Sequence, residues 1–492
     1  MAAWRGGEKR PGDLGIIISN MPGLFAVSAL LLAAMAVICP IIADPGSAPG
    51  FAAGFAVCLV LFLLLKGLYP ATHDLELRHA MIVAAVAYFV VPAVSAVPFI
   101  AVEHMTALDA FFEAISGWTG SGFTMIPYPE HSAHAIQLWR SVIQWIGGIG
   151  VIVLMVAILI RPGTSTYVMY QSEARKDRIQ PSIRSTINTI WFLYFALTVA
   201  GILMLVAVGM PLWDSINHSM VAIGTGGFSI YSDSIAHYDS LPIEVVLMAV
   251  MVLGALPFVF IYRIVKGPKY RMTMDPQVRW FMFIIAGGVA LLTLENYLAS
   301  GRVLESLRLS AFQFVSGITC TGLQTSSMSG WSHSAMLILS IAMIIGGCAG
   351  STAGGIKVAR AIFLASELGL WFKRTLLPRN AIITLKIGNK RVGEEVFSRE
   401  LSEASLITFL WVVTILASVM AIAHIAPPGY GLGQIVFTVC SAQGNVGLCA
   451  GIVEQGMHAF GKVVIIVNMW IGRLEIIPVT MLIRYALKGF RV

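Results

Sequence analysis

Eight full-length apolar runs, each long enough to cross a membrane, limit what this chain can fold into more than any other feature. A helix rises about 1.5 Å per residue, so about 20 apolar residues cross the roughly 30 Å of hydrocarbon in a bilayer. Apolar residues make up 57% of the 492 residues and charged residues only 12%, which leaves too little polar surface for a water-soluble fold. The runs are residues 24–42, 81–100, 142–160, 190–208, 243–261, 281–298, 406–425 and 463–483.

Two further segments bring the predicted crossings to ten. They are a shorter apolar run at 51–65 and a run from 336 to 371 that a glycine cluster interrupts. The chain is therefore predicted to be an all-α polytopic membrane protein with about ten transmembrane helices. The first run follows a basic segment at residues 5–10, as in a cleaved signal peptide, but it is long enough to span and is predicted to be retained.

Basic residues predict which loops face the cytoplasm, because Lys and Arg concentrate in cytoplasmic loops. Their clustering between apolar runs accounts for the net charge of +7 better than a nucleic-acid-binding face does. Both termini are predicted to be cytoplasmic. The basic loops are 161–184, 263–271, 373–391 and 484–491, and the loops without Lys or Arg are 126–138, 229–242 and 448–461.

From residue 80 onward a pattern occurs four times: a spanning helix, a short half-apolar stretch, a Gly/Thr/Ser segment, a polar outer loop and a second spanning helix. The half-apolar stretches are too short to span, so each must enter the membrane and return on the same side. The predicted units are an N-terminal helix pair at 1–75 and repeats at 76–186, 187–275, 276–398 and 399–492.

The Gly/Thr/Ser segments at 116–124, 222–229, 317–324 and 441–448 predict a shared aqueous axis, because non-helical backbone at membrane depth must line protein or water. One such segment is typical of close helix packing, but four at matched positions favour an ion selectivity filter, in which glycine lets carbonyl oxygens face the ion. The preceding half-helices would aim their partially negative C-terminal ends at the axis and so favour cations. The predicted register glycines are Gly122, Gly226, Gly322 and Gly447, and the candidate ion ligands are Thr119, Gly120, Ser121, Gly122, Gly224, Thr225, Gly226, Cys320, Thr321, Gly322, Asn445, Val446 and Gly447.

The glycine cluster at 346–355 breaks the second helix of the third repeat, and such a break must line a cavity or move. Close packing of small residues at a helix crossing is the alternative. Lys357 follows the break. It is either a residue that snorkels to the cytoplasmic face or part of a moving element, and the sequence leaves both open.

Arg473 lies inside the last apolar run, where an unpaired charge would cost about 3 kcal/mol or more. Pairing with Glu475 is awkward because residues two apart on a helix point to different faces. Arg473 is therefore predicted to face the axis as an electrostatic barrier to cations. Asn468 is expected to hydrogen-bond to a neighbouring helix instead.

Enzymatic and scaffolding functions find little support. A membrane-embedded enzyme would need a nucleophile, a metal triad or a carboxylate pair at membrane depth, and Glu475 with a few isolated acids forms no such constellation. The stretch 350–357 lacks the Gly-Lys-Ser/Thr ending of a phosphate-binding loop, so no nucleotide or other organic cofactor is expected on this chain. The longest soluble stretch, 372–403, is too short for a domain and is predicted to be part of a docking surface.

The four Gly-rich segments, the helix order and the run 346–357 resemble the Trk/Ktr/HKT superfamily, most closely its TrkH-type membrane subunits, over residues 80–488. The resemblance implies potassium uptake across the bacterial inner membrane, with potassium as the bound substrate. It also implies a homodimer in membrane lipid, and a cytoplasmic TrkA- or KtrA-type regulatory ring that binds NAD(H) or ATP/ADP. A matching arginine supports the role of Arg473, and the implied intramembrane gate comprises Gly346, Gly347, Gly350, Ser351, Thr352, Gly354, Gly355 and Lys357.

Glycine in all four repeats goes with potassium preference in that superfamily, whereas serine in the first repeat goes with sodium in some plant members. Gly122 therefore favours potassium. The fourth repeat departs from the usual wording at 444–449, and Gln324 is unusual after the third segment. A sodium or non-selective monovalent-cation conductor is the alternative, and the sequence does not distinguish passive conduction from ion-coupled symport.

Overall fold

The computed structural model describes residues 13–69, 77–159, 183–267, 275–378, 386–387, 390–391 and 393–488. These residues are helical apart from loops and a minimal antiparallel pair, Lys386–Ile387 with Lys390–Arg391. The predicted all-α polytopic class is confirmed. Most of the predicted basic loop at 161–184 and both chain ends lie outside the described residues.

A short helix, Asp13–Ser19, precedes two long apolar helices that pack against each other, Pro22–Ile41 and Ala48–Leu68. The second is 21 residues long, so the run predicted at 51–65 is a full-length span rather than a short one. Large apolar side chains such as Leu30 and Leu64 are exposed on these helices, as expected where lipid is the solvent.

The four repeats share one plan. The re-entrant helices are Ala107–Thr119, Leu212–Gly224, Val303–Ile318 and Leu432–Gly444. The first helices are Leu77–Ser95 with its continuation Val97–Glu103, then Ile183–Ala207, Pro276–Ser300 and Glu394–Ile425. The second helices are His134–Leu159, Leu241–Ala255 with Phe258–Lys266, His333–Ile345 with Val358–Leu376, and Ala459–Arg473 with Ile477–Lys488.

Two predicted continuous spans are wrong, because the second helices of repeats two and four are broken. The halves of the first are bent by 107° and those of the other by 113°. Pro257, which lacks an amide hydrogen, stands at the first break. At the other, Glu475 and Ile476 both adopt left-handed backbone angles, two residues before Pro478. A proline near each break is the sequence signal for these bends, and an interpretation based on apolar content alone missed it.

Among the described residues, six helices are long and apolar enough to cross a membrane, or eight when each bent pair counts as one span. His134–Leu159 and the interrupted pair His333–Ile345 with Val358–Leu376 stand where the sequence predicts the other two crossings.

The repeats form a closed ring around the re-entrant helices. Each re-entrant helix packs against the second helix of the preceding repeat, and Ala107–Thr119 packs against Ala459–Arg473 of the fourth, which closes the ring. The re-entrant helices are almost entirely buried in their second halves, whereas Pro276–Ser300 has only two buried residues, Phe281 and Leu292. Polar, glycine-rich chain therefore lies at the centre and apolar helices face lipid.

Candidate functional site

Within two residues after its end, each re-entrant helix is followed by a residue with a positive φ, and two residues later by a glycine that also has a positive φ. The first set comprises Gly120, Thr225, Cys320 and Asn445, with φ of 65°, 50°, 56° and 54°. The second set, called the glycine ring below, comprises Gly122, Gly227, Gly322 and Gly447, with φ of 74°, 87°, 83° and 100°.

The glycine ring corrects the predicted register in repeat two. Gly227, not Gly226, matches Gly122, and the large buried apolar residue that follows it is Phe228, as Phe123 follows Gly122. Gly226 has no positive φ and lies against Gln144, whose Nε2 donates to its carbonyl oxygen. An alignment of the four segments on the large apolar residue after the glycine would have given this register. Matching the Gly-x-Gly motif gave Gly226 instead.

The ring must be glycine because the segments of neighbouring repeats approach closely. A Cβ on Gly122 would lie 2.7 Å from the carbonyl oxygen of Gly226. On the other three ring glycines a Cβ would lie closer still to the carbonyl oxygens of Thr321, Val446 and Ser121. Backbone atoms cannot move aside as the end of a flexible side chain can, so a Cβ at these positions is not accommodated. The carbonyl oxygens involved belong to all four repeats and lie close together.

The amides of these segments turn back onto the re-entrant helices. Ser121 donates its N–H to Ser116 O at 2.9 Å, and Thr321 donates to Ser316 O at 2.9 Å. Gly226 and Val446 make the equivalent bonds to the residues five positions earlier. One amide of each segment is therefore bonded back to the re-entrant helix that precedes it.

An outer cavity of about 140 Å³ lies above the segments. All four ring glycines line it, together with polar residues of the outer loops such as Thr124, Ser229 and Gln324. At its rim Ser232 donates both its N–H and its hydroxyl to Glu130, at 2.9 Å each. Partial burial acts to raise the pKa of the Glu130 carboxyl, but hydrogen bonds from its own backbone and from Ser232 lower it on balance.

The glycine break of repeat three forms a non-helical loop, residues 346–357, directly beneath the segments. Thr352 Oγ1 lies 3.0 Å from Ile223 O, 2.9 Å from Gly254 O and 3.2 Å from Thr225 Oγ1. A Cβ on Gly354 would overlap the carbonyl of Gly444. The loop therefore contacts the ends of re-entrant helices two and four.

Three backbone carbonyls hold Arg473 against this loop. Its Nη1 donates to Thr352 O at 2.9 Å, and its Nη2 donates to Gly147 O at 2.8 Å and Gly148 O at 3.1 Å. Glu475 instead pairs with Arg360. Arg473 is 4% exposed, and a Cβ on Gly120 would lie 3.7 Å from its Nη1.

Lys357 does not snorkel to the surface. It is 8% exposed, has a positive φ of 81°, and donates from Nζ to Ala353 O within the loop. Asn468 donates to Ser418 Oγ on the neighbouring helix at 2.8 Å, the packing role expected for it.

Two buried ion pairs near the segments escaped the sequence interpretation. Lys462 pairs with Asp109, which joins repeat four to the start of re-entrant helix one. Arg140 pairs with Glu113 at 2.8 Å, both almost fully buried. The members of each pair are separated by 353 and 27 residues, so no local spacing marks either pair.

The register correction predicts different outcomes for two neighbouring glycines. Gly227→Ala should remove ion selectivity, because the added Cβ meets the carbonyl of Thr321 and the φ of 87° strains any other residue. Gly226→Ala should be milder, since Gly226 has no positive φ and the two nearest atoms that its Cβ would meet are at the carboxamide end of the flexible Gln144 side chain. Flux ratios for two cations in liposomes measure this, and equal losses would contradict the correction.

Thr352→Val is expected to raise cation flux severalfold when no other protein is present. Losing buried hydrogen bonds to Ile223 and Gly254 weakens the attachment of the loop by about 1–3 kcal/mol. Ser351→Ala is the matched control, because Ser351 Oγ bonds only within the loop, to Cys348 O at 2.6 Å. A Thr352→Val flux equal to that of the control would refute the expectation.

Comparison with known proteins places this geometry in a family. The profile of TrkH, a cation transport protein family, matches residues 49–488. An uncharacterized cation transporter of Methanocaldococcus jannaschii is 32% identical over 410 residues, 83% of each chain. The Trk system potassium uptake protein TrkH of Escherichia coli K12 is 31% identical over 83% of this chain and 86% of its own. The crystal structure of the potassium transporter TrkH from Vibrio parahaemolyticus superimposes with a TM-score of 0.81 at 27% identity, covering 95% of this chain and 98% of that one.

Proposed function

Because this chain belongs to the TrkH family of cation transport proteins, we propose that it takes up potassium across the bacterial inner membrane along the axis that the four Gly-rich segments surround. It is a multi-pass membrane transport protein and not an enzyme. The closed glycine ring carries the proposal, because four sets of backbone oxygens in one place can replace the hydration shell of a monovalent cation.

The proposed potassium ligands are the candidates predicted from the sequence together with Gly227. Their carbonyls present oxygen without a fixed negative charge, which suits a weakly held ion that must also leave. Potassium is the transported substrate, and the chain is proposed to bind no organic cofactor. A sodium or non-selective conductor is the alternative, and the glycine at position 122 favours potassium over it.

The loop 346–357 is proposed as the gate and Arg473 as the barrier below the ring. Closed, the loop obstructs the axis from beneath re-entrant helices two and four, and Arg473 is attached to it through Thr352 O. Moving the helix Val358–Leu376 would pull the loop aside, since Val358 N also bonds to Gly347 O at 2.9 Å.

A cytoplasmic regulatory ring of the TrkA or KtrA type, which binds NAD(H) or ATP/ADP, is proposed to move that helix by docking near residues 372–403. Two relatives are named as parts of Trk systems, which supports a partner of this kind. A homodimer in membrane lipid is also proposed. The helix Val358–Leu376 has exposed apolar side chains that could form the dimer interface: Leu368, Trp371, Phe372 and Leu376.

The unit limits at residues 75, 186, 275 and 398 and the cytoplasmic placement of both termini belong to the same proposal. A membrane potential contributes about 2.3 kcal/mol per charge per 100 mV, which can drive uptake without a coupled ion. Symport remains the alternative for the driving force.

The deciding experiment is potassium and sodium flux into liposomes that contain the purified chain, with and without a TrkA-type partner. Potassium-selective flux supports the proposal. Equal flux of both ions supports the non-selective alternative. No cation flux in either condition, from a chain that remains folded, would overturn transport.

A further inference from the structure

We propose that Arg140 is a positioning residue for ion selectivity, which ties the outer end of Gly-rich segment one to that of segment two and so fixes the spacing of Gly122 and Gly227. The inference rests on the proposed function, because it concerns the selectivity of the same axis. Arg140 is 2% exposed, lies on the helix His134–Leu159 and lines the outer cavity.

The guanidinium of Arg140 contacts both segments. Its Nε donates to Glu113 Oε1 at 2.8 Å and its Nη2 to Thr124 Oγ1 at 3.1 Å, both in repeat one. Its Nη1 donates to Ser229 O at 2.7 Å in repeat two, and its Cζ lies 4.2 Å from the ring centroid of Phe228. A planar fork of donors reaches these partners at once, which a lysine ammonium on a single stem does not.

Glu113 fixes the repeat-one end of this tie. Its carboxylate accepts the N–H of Met125 at 2.7 Å and the hydroxyl of Thr124 at 2.9 Å, in addition to Arg140. The chain just beyond Gly122 is therefore held by a buried charge that is itself paired and hydrogen-bonded.

The same position in the other repeats carries no such tie. In the register of the glycine ring, Glu113 corresponds to His218, Gln313 and Thr438. Gln313 accepts the N–H of Thr325 at 3.0 Å, a neutral version of the Glu113 contact. His218 lies 3.1 Å from Ser229 Oγ, and Thr438 bonds only to its own helix at 2.8 Å.

The second helices of the other repeats also lack an equivalent arginine in their N-terminal halves. Leu241–Ala255 and His333–Ile345 contain no Lys or Arg. In Ala459–Arg473 the basic residues stand at the two ends, where Lys462 pairs with Asp109. Among these helices, only His134–Leu159 therefore carries an arginine that bonds to two neighbouring Gly-rich segments, the first and the second.

Gln144 extends the bridge one helical turn along the same face. Its Nε2 donates to Gly226 O, and its Oε1 accepts the N–H of Phe228 at 3.1 Å. Arg140 and Gln144 together hold two of the four segments at a set distance. Without Arg140 the spacing of Gly122 and Gly227 can vary, so the oxygens can close around a smaller ion.

The main test is the double variant Glu113→Gln/Arg140→Met, measured as potassium and sodium flux in liposomes. It leaves no buried unpaired charge, and the introduced glutamine would accept the Met125 N–H as Gln313 accepts that of Thr325. We expect potassium flux to persist while the potassium-to-sodium ratio falls about tenfold, a difference of about 1.4 kcal/mol between the ions. A thermal unfolding scan establishes that the variant is folded.

Two further variants separate geometry from charge and from general stability. Arg140→Lys keeps the charge beside Glu113 but not the fork, so its ratio should also fall. Glu244→Gln/Arg308→Met removes another ion pair, 2.6 Å long, in which Glu244 is buried and Arg308 is partly exposed. Neither residue belongs to the glycine ring, so this variant should leave the ratio unchanged. Wild-type selectivity in Arg140→Lys would assign the effect to charge and overturn the proposal, as would an equal fall in the control.

Failure of this inference differs from failure of the proposed function. If the wild-type chain conducts potassium selectively and Glu113→Gln/Arg140→Met retains that ratio, only the role of Arg140 is refuted. If the wild-type chain conducts no cation, or conducts both ions equally, the proposed function itself fails and the premise of this inference fails with it.

Discussion

Gly122→Ser is expected to lower the potassium-to-sodium flux ratio by about tenfold or more, the effect of an energy difference of about 1.4 kcal/mol between the two ions. Gly122 has a φ of 74°, where a residue with a Cβ is strained, and a Cβ there would stand 2.7 Å from the carbonyl oxygen of Gly226. One oxygen must therefore leave its place in the ring, and the added hydroxyl offers a different ligand. Flux in liposomes with each ion in turn measures the ratio.

The matched control is Gly429→Ser. Gly429 also has a positive φ, 114°, but a Cβ added there would meet no atom within 4 Å, and the residue stands in the loop before re-entrant helix four. Backbone strain alone would affect both variants alike. A ratio that falls equally in both, or in neither, would contradict the assignment of Gly122 to an ion filter.

Arg473→Ala is expected to raise potassium flux about tenfold or more. Two unit charges about 4 Å apart repel by about 4 kcal/mol at an effective dielectric constant of 20, so a guanidinium at the axis is a substantial barrier to a cation. The carbonyls of Thr352, Gly147 and Gly148 offset part of this charge, and after the substitution they are free to face a passing ion. The loop also loses one attachment, which acts in the same direction.

Arg473→Lys is the control, because it keeps the charge while losing the fork that bonds several carbonyls. Low flux in Arg473→Lys with high flux in Arg473→Ala would identify the charge as the barrier. High flux in both would assign the effect to the lost attachment of the loop, and flux at or below wild type in a folded Arg473→Ala protein would contradict the barrier altogether.

The membrane class and the number of crossings were predictable because each depends on local composition. An apolar run of 20 residues has one favourable environment, and a stretch too short to span has to return. The sequence accordingly predicts one re-entrant helix in each of the four repeats, and Leu432–Gly444 is that of the fourth. The bends near Pro257 and Pro478 were missed because hydropathy measures apolar content and does not measure direction.

Matching a sequence motif did not identify all four ring glycines. In repeat two, Gly226 and Gly227 are neighbouring glycines that the motif does not distinguish. Only the backbone angle of Gly227 and the buried Phe228 that follows it identify the ring glycine. The break at 346–355 was visible from its composition, but its contacts with Ile223, Gly254 and Gly444 join three repeats. Those contacts depend on how the ring closes.

The sequence by itself determined a helical membrane protein with four re-entrant, glycine-rich segments, because hydrocarbon excludes unpaired backbone and charge wherever they occur along the chain. Only the tertiary structure decided which glycines meet, what holds Arg473, and that Arg140 with Glu113 joins the first two segments. Such contacts join residues far apart in sequence, and each depends on the closure of four similar units around one axis.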